Sequence, residues 1–163
     1  MNELAAKVIT TLRDRTLTLA VAESVTGGLI GATLTTVPGA SMVYLGGVVS
    51  YATRLKTDLL DVTRETIANH TVVSEEVAIG MAVGLQRRTD ADWVIAVTGV
   101  AGPDPQEGHD AGEVWICVLG PRIPSLPQFQ QVERFDFSGN RDEIREQTVD
   151  AACRMLLRVV SPV

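Results

Sequence analysis

Histidine, cysteine and lysine are scarce in this chain of 163 residues, which contains two of each. His70 and His109 belong to no HxxxH or HxxE pair, so the sequence predicts no metal site and no Ser-His-Asp triad. Cys117 and Cys153 lack CxxC spacing and lie in a strand-like and a helix-like run, as small core residues do. These absences exclude the common zinc and disulfide scaffolds.

Glycine-rich nucleotide fingerprints are also missing, since the chain contains neither GxxxxGK[ST] nor GxGxxG, and it has no GxSxG elbow. Acidic residues outnumber basic ones by 20 to 14, and the net charge of −6 argues against a nucleic-acid partner. A small anionic ligand is compatible with this charge, because a helix N-terminus and one or two arginines can bind a phosphate.

Long apolar runs are absent as well, and the longest stretches are too short for a bilayer span, which predicts no membrane partner. Residues 1–15 carry charges along their length and lack the apolar core of a signal peptide, so we expect a cytoplasmic protein. With 45% hydrophobic but only 4% aromatic residues, the chain is expected to form one domain over residues 1–163 with a core of Val, Ala, Leu and Ile.

Hydrophobic periodicity predicts an alternation of helices and strands. Helices are predicted over residues 3–14, 27–37, 53–60, 63–70, 75–88 and 141–158. Strands are predicted over residues 17–22, 42–51, 92–99, 113–120 and 130–139. Because helices separate the early strands while the last three follow one another closely, the pattern predicts a three-layer α/β/α domain with a mixed sheet, parallel early and antiparallel late.

Lysine usage points to one residue in particular. Only Lys7 and Lys56 are lysine, and the other twelve basic residues are arginine. A lysine retained in such a chain can serve where arginine cannot, because a desolvated lysine loses its proton. Lys7 lies on a surface helix, whereas Lys56 lies where a strand gives way to a helix, at the sheet edge that usually binds ligands. The alternative is that Lys56 is a solvated helix lysine.

Ser24 ends the first strand and is a candidate nucleophile, which needs a base. Lys56 is the base that remains when no histidine is suited, and Tyr51, at the end of the second strand, would relay a proton between them. If these two strands are neighbours, the three side chains converge at one edge. Taken singly, Ser24 is equally typical of a turn, and Tyr51 of a core strand.

The turn that follows Ser24 is a candidate for substrate binding. Thr26 is the expected N-cap of the helix over 27–37, and Gly27 and Gly28 follow it. Their amides would form an oxyanion hole or a phosphate cradle.

Two further segments reach the same predicted edge. Gly99, Ala101 and Gly102 follow the third strand, where glycines allow the backbone to approach a ligand closely, although an ordinary strand exit would look the same. Arg141 begins the last helix, where the dipole disfavours a cation. This position indicates anion binding, or else a salt bridge to Asp142 or to another subunit.

The segments "AESVTGGLIGATLTTVPGAS", "GGVVSYATRLKTDLL", "VSEEVAIGMAVG", "AVTGVAGPD" and "FSGNRDEIR" occur in this order. Together they resemble the CinA C-terminal-domain family, the nicotinamide-nucleotide amidases, over residues 4–158. The combination of AES-x-TGG, Y-x4-K and G-x-AGP is specific, whereas any one of these motifs alone is weak. The chain resembles the stand-alone form, without the further N-terminal domain of the longer competence-type proteins.

The resemblance implies an amidohydrolase that converts nicotinamide mononucleotide to nicotinic acid mononucleotide and ammonia, with no metal or organic cofactor. It implies that Ser24 is the nucleophile, that Tyr51 and Lys56 assist it, and that the chain forms a homo-oligomer. The loop over 103–112 departs from the family pattern, since a glycine pair and a later K-P-V-G-T-like stretch are replaced by "PQEGHDAGEVW". We expect this loop to form one wall of the site and its change to affect substrate affinity more than hydrolysis.

Overall fold

Five strands form a single mixed sheet in the computed structural model, which describes residues 2–161. The strands are β1 (Leu19–Glu23), β2 (Tyr44–Val49), β3 (Trp93–Gly99), β4 (Glu113–Leu119) and β5 (Gln130–Asp136). Their order is β2-β1-β3-β4-β5. Strand β1 lies between β2 and β3 and runs parallel to both, while β4 runs antiparallel to β3 and β5. The predicted mixed sheet, and the pairing of the first two strands, are therefore confirmed.

Among residues 2–161, six α-helices cover the two faces of this sheet. They are α1 (Glu3–Asp14), α2 (Leu29–Thr35), α3 (Thr53–Leu60), α4 (Arg64–His70), α5 (Glu75–Thr89) and α6 (Arg141–Val160). One core cluster joins α1, α2 and α6 to the sheet, and a second joins α5 and the end of α3 to its other face. The predicted three-layer α/β/α arrangement is confirmed.

Strand β1 is buried along its whole length because it faces helices on both sides. Leu19 and Val21 pack into the first core cluster, whereas Ala20 and Ala22 pack into the second, towards α5. The parallel pairing brings the carboxyl ends of β1, β2 and β3 to one edge of the sheet, which is where open α/β folds place their ligands.

Several element boundaries differ from the sequence prediction. The second strand ends at Val49, so Tyr51 lies beyond it in an irregular segment rather than within the sheet. The first strand begins at Leu19, because the chain is still turning out of α1 at Thr16, whose φ is 57°. The fifth strand ends at Asp136, where its pairing with β4 stops.

The sequence predicts N-caps for four helices, at Thr26, Thr63 and Ser74 and at Asn140, where Glu143 would complete a capping box. Ser74 and Thr63 accept hydrogen bonds from the amides of Val77 and Thr66, as expected of N-caps. Asn140 and Glu143 form the predicted capping box of α6. The prediction for Thr26 is wrong, because α2 begins at Leu29 with Gly28 as its N-cap.

The outer strand β2 pairs only with β1 among the described residues, so its other edge is open. Leu45 and Val49 on this strand are 51% and 44% exposed. Between residues 2 and 161, no helix combines the length and the hydropathy that crossing a membrane requires.

Candidate active site

A cavity of about 670 Å³ opens at the sheet edge where β1 and β3 end. It has the size typical of small-molecule sites. Its walls come from the end of β1, the start of α3, the segment before α5, the loop after β3 and the first residue of α6. The residues that line it include Ser24, Tyr51, Lys56, Val72, Val73, Thr98, Gly99, Ala101, Gly102 and Arg141.

Ser24 and Lys56 contact one another in this cavity. The Lys56 Nζ lies 2.8 Å from the Ser24 Oγ and donates to the carbonyl of Ser50 at 2.7 Å. Lys56 is 2% exposed and Ser24 is 8% exposed. The alternative of a solvated helix lysine is therefore wrong for Lys56, whereas Lys7 is exposed as expected.

Lys56 lies on the buried face of α3, four residues before Leu60. These are the two buried residues of α3, and a separation of four places them on one face of the helix. Leu60 packs into the core beside α5. Gly84 of α5 allows this approach, because a Cβ there would stand 1.8 Å from the Leu60 carbonyl oxygen. The packing of Leu60 thus fixes the turn that carries the lysine.

Burial lowers the pKa of Lys56 from its usual 10.5 to about 8, although the carboxylate of Glu107 acts in the opposite direction and raises it. A lysine with this pKa is partly neutral near physiological pH. A neutral amine 2.8 Å from a hydroxyl can accept its proton. The pair therefore has the geometry and the protonation equilibrium of a serine–lysine dyad.

Glu23, immediately before Ser24, is the residue that orders the following turn. Its carboxylate is buried and accepts hydrogen bonds from the Thr26 hydroxyl at 2.6 Å and from the amides of Gly28, Ile30 and Gly31 at 2.8 to 3.0 Å. These amides belong to the first turn of α2, so the carboxylate satisfies donors that a helix N-terminus leaves free. Glu23 therefore orients the turn that follows Ser24.

The cap provided by Glu23 changes the interpretation of Thr26, Gly27 and Gly28. None of the three lines the cavity. The Gly28 amide donates to Glu23 and the Gly27 amide donates to the Ser24 carbonyl. Thr26 is fully buried and uses its hydroxyl on Glu23. The structure therefore does not bring these residues to the site as an oxyanion hole or phosphate cradle.

Tyr51 and Arg141 form a second pair at the mouth of the cavity. The guanidinium of Arg141 donates to the Tyr51 hydroxyl and to the Gly102 carbonyl, each at 2.6 Å. Tyr51 is 57% exposed, so it is not a core aromatic residue. It makes no hydrogen bond to Ser24 or Lys56 within residues 2–161, and the direct Ser24–Lys56 contact leaves no gap for a tyrosine relay.

Arg141 has no ion pair with Asp142, because that carboxylate pairs with Arg145 at 3.2 Å. Its contacts within the described chain are to neutral oxygens, so its charge is uncompensated by hydrogen-bonded carboxylates. An arginine in this state at a cavity mouth is suited to an anionic ligand group.

The backbone after β3 forms the wall next to Arg141. Gly102 has φ of 80°, and a Cβ there would lie 2.6 Å from the Ala111 side chain, so this turn needs glycine. The amides of Ala101 and Gly102 donate to no other group in the part of the chain from 2 to 161. Gly99 also lines the cavity, as the last residue of β3. The structure thus brings all three of these predicted residues to the site.

Sequence reasoning missed the opposite wall. Val72, Val73 and Thr98 line the cavity, and the Thr98 hydroxyl donates to the Val72 carbonyl at 2.7 Å. No local pattern marks these residues, because their place depends on how the segment before α5 crosses the end of β3. Within residues 2–161, no three His, Cys, Asp or Glu side chains form a metal-binding group.

Comparisons with known proteins agree with this fold. The family model described as the CinA C-terminal domain matches residues 1–160. A CinA-like protein of Synechococcus is 42% identical over 156 residues, which is 95% of this chain but 36% of that protein. The other curated relatives are similarly long, and the chain spans 34% of a Bacillus subtilis relative.

Two solved structures match this chain over nearly the whole length of both proteins. A competence-damaged protein (CinA) superfamily protein from Klebsiella pneumoniae has a TM-score of 0.92 at 32% identity, with 99% of each chain covered. The competence/damage inducible protein CihA from Agrobacterium tumefaciens has a TM-score of 0.89 at 34% identity, covering 96% of this chain and 93% of that one. From the matched residues and the shared fold, the chain belongs to the CinA C-terminal domain family.

Proposed function

We propose that the chain is a nicotinamide-nucleotide amidase, which hydrolyses nicotinamide mononucleotide (NMN) to nicotinic acid mononucleotide and ammonia. The observation that carries this proposal is the buried contact of 2.8 Å between the Ser24 Oγ and the Lys56 Nζ. Family membership supports it, because the CinA domain family includes amidases. The test is ammonia release from NMN by the purified chain, with nicotinic acid mononucleotide measured as the second product.

In the first step, the neutral Lys56 amine takes the proton of Ser24 while the Oγ attacks the carboxamide carbon of the substrate. The carbonyl oxygen becomes an oxyanion in the tetrahedral intermediate. The unpartnered amides of Ala101 and Gly102 are the donors on the cavity wall that suit it. The cap of Glu23 holds the turn behind Ser24 in place while this charge develops.

In the second step, the Lys56 ammonium returns its proton to the amide nitrogen, the carbon–nitrogen bond breaks, and ammonia leaves. Ser24 now carries the acyl group as an ester. A water molecule then attacks this ester while Lys56 accepts one of its protons, and the Ser24 hydroxyl is restored as the carboxylic acid product departs. Every proton transfer uses the same amine, so the mechanism requires no metal or organic cofactor.

Arg141 is the residue that we propose to bind the phosphate of the substrate. Replacing Arg141 by alanine is expected to raise KM for NMN roughly tenfold to a hundredfold, the usual cost of losing a charge-assisted hydrogen bond. The dephosphorylated substrate, nicotinamide riboside, has no phosphate to lose, so its kcat/KM should change by less than about threefold. Equal losses for both substrates would contradict the phosphate role. Arg154, an exposed arginine on the same helix, is the matched control.

The pH dependence of the reaction follows from Lys56, because only its neutral form accepts the Ser24 proton. With a pKa of about 8, kcat/KM should rise about tenfold per pH unit below that value and level off above it. Glu107 raises this pKa, so Glu107→Gln is expected to lower it and move the midpoint of the profile to lower pH. Glu65→Gln, on an exposed face of α4, is the control. A midpoint that stays in place or moves to higher pH would contradict the assignment.

A second candidate, an amidase for a related amide, is favoured by the loop over 103–112, which departs from the family pattern and lines the site from Pro103 to Gln106. Comparing NMN with nicotinamide riboside and other nucleotide carboxamides, each measured by ammonia release, separates the two. A kcat/KM at least about tenfold higher for another amide would replace NMN as the substrate.

A further inference from the structure

The cavity loop, residues 101–112, changes role along its length. Its first half lines the cavity up to Gln106. It then reverses at Glu107 and Gly108, which have φ of 50° and 83°. Gln106 and His109 close this reversal with two backbone hydrogen bonds of 3.0 and 2.8 Å. The tight turn leaves the His109 side chain facing the segment before α5.

His109 joins three separate parts of the chain through its two ring nitrogens. Its Nε2 lies 2.7 Å from the Thr71 Oγ1, and its Nδ1 lies 3.0 Å from the Glu113 carboxylate at the start of β4. Glu113 is buried and held in turn by the Trp115 indole N–H at 3.1 Å and by Arg134 at 3.5 Å. The imidazole therefore connects a fixed carboxylate with a hydroxyl on the opposite wall.

The contacts of His109 can be satisfied in both protonation states. With one proton, Nδ1 donates to Glu113 and Nε2 accepts from the Thr71 hydroxyl. With two protons, Nε2 donates to that hydroxyl, whose own hydrogen can turn to the Val73 carbonyl at 3.3 Å. Thr71 has a φ of 67°, which is rare for a β-branched residue and persists where the surroundings hold it.

A second contact links the same two segments. The Val72 amide donates to the Glu107 carboxylate at 3.3 Å. Val72 and Val73 line the cavity opposite the first half of the loop. The loop tip therefore bridges the two walls between which the substrate would lie.

We infer that His109 is a positioning residue, which fastens the cavity loop to the segment Thr71–Val73 and so sets the width of the site. Of the two side-chain contacts of His109, the one with Thr71 spans the two walls, because Glu113 adjoins the base of the loop itself. The effect of this fastening on substrate affinity rests on the proposed function, while the fastening itself does not.

The test uses hydrogen exchange of the Val72 amide, followed by NMR in the full chain, because that amide is bonded to the loop. In His109→Ala, its exchange should accelerate roughly tenfold through local opening. Glutamine can place its amide nitrogen near the position of Nε2, and asparagine near that of Nδ1. His109→Gln should therefore stay within about twofold of the parent, whereas His109→Asn should behave like the alanine variant.

His70→Ala is the matched control, because His70 pairs with Glu76 outside the cavity. It should leave the Val72 exchange unchanged. The inference is overturned if the exchange in His109→Ala equals that of the parent, or if asparagine preserves it and glutamine does not. Unchanged near-UV circular dichroism of each variant establishes that the fold is retained.

The kinetic arm measures NMN hydrolysis near pH 9, where Lys56 is mainly neutral. His109→Ala should raise KM roughly tenfold while kcat stays within about twofold. Ser24 and Lys56 lie outside the loop, and the end of the loop that carries the Ala101 and Gly102 amides is held separately by Arg141 at the Gly102 carbonyl. A fall in kcat at unchanged KM would overturn the positioning role. If the parent chain releases no ammonia from NMN but the Val72 exchange responds as described, the proposed function fails and the fastening stands.

Discussion

Replacing Ser24 by alanine is expected to lower kcat for ammonia release from NMN by at least about a thousandfold. The alanine side chain cannot attack the carboxamide or carry the acyl group, and no other hydroxyl contacts the Lys56 Nζ in residues 2–161. Because the substitution removes a single oxygen atom, the free energy of unfolding should change little. The measurement is steady-state ammonia release together with a thermal melt.

The controls for Ser24→Ala separate catalysis from binding. Ser41→Ala removes an exposed hydroxyl far from the cavity and should keep full activity. NMN binding by calorimetry should survive in Ser24→Ala, because Arg141, which we propose to bind the phosphate, is unchanged. Equal ammonia release by the parent and the Ser24 variant would exclude the nucleophile. Tight NMN binding without any release by the parent would favour a non-catalytic nucleotide-binding module of the same fold.

Replacing Lys56 by arginine is expected to abolish activity to a similar extent, because a guanidinium keeps its charge and cannot accept the Ser24 proton. Lys56 is 2% exposed, so the larger charged group should also destabilise the fold. Lys7→Arg, the same exchange at the other lysine of the chain, should change neither property. Activity of Lys56→Arg above about a tenth of the parent would contradict the role of Lys56 as base.

Lys56→Met is the variant that separates loss of the base from loss of the fold, because methionine fills a similar volume without a charge. In the parent, folding lowers the pKa of Lys56 from 10.5 to about 8, so the unfolded state binds its proton more tightly. The parent should therefore gain about 3 kcal/mol of stability between about pH 8 and pH 10.5, relative to Lys56→Met. Urea melts over this range measure the difference. A constant difference would show that Lys56 is not desolvated.

The fold was largely predictable, because its elements have local signals. Helical and strand periodicity identified the helices and strands, and the spacing of helices between strands identified the parallel part of the sheet. The errors fall at boundaries such as Val49 and Leu29, where pairing and capping by distant groups decide the outcome.

The candidate site was predictable in part for the same reason. Lys56 was singled out because an arginine-rich chain retains it and because it follows the second strand, at the sheet edge that usually binds ligands. The cap by Glu23 was not predictable, since the usual capping pattern places a short polar side chain at the N-cap itself. Here the carboxylate reaches the helix from the end of the preceding strand. The contact of His109 with Thr71 spans 38 positions, and only the path of the loop creates it.

The open edge of β2 has a consequence for the behaviour of the chain at high concentration. Charged residues and prolines on an edge strand usually prevent two sheet edges from pairing. The strand carries neither over Tyr44–Val49. We propose that the expected homo-oligomer forms at this edge, where a second copy would extend the sheet about a two-fold axis. Repulsion between copies then comes from the net charge of −6. Added salt, which screens that charge, should therefore shift the equilibrium from separate chains towards a continuous sheet.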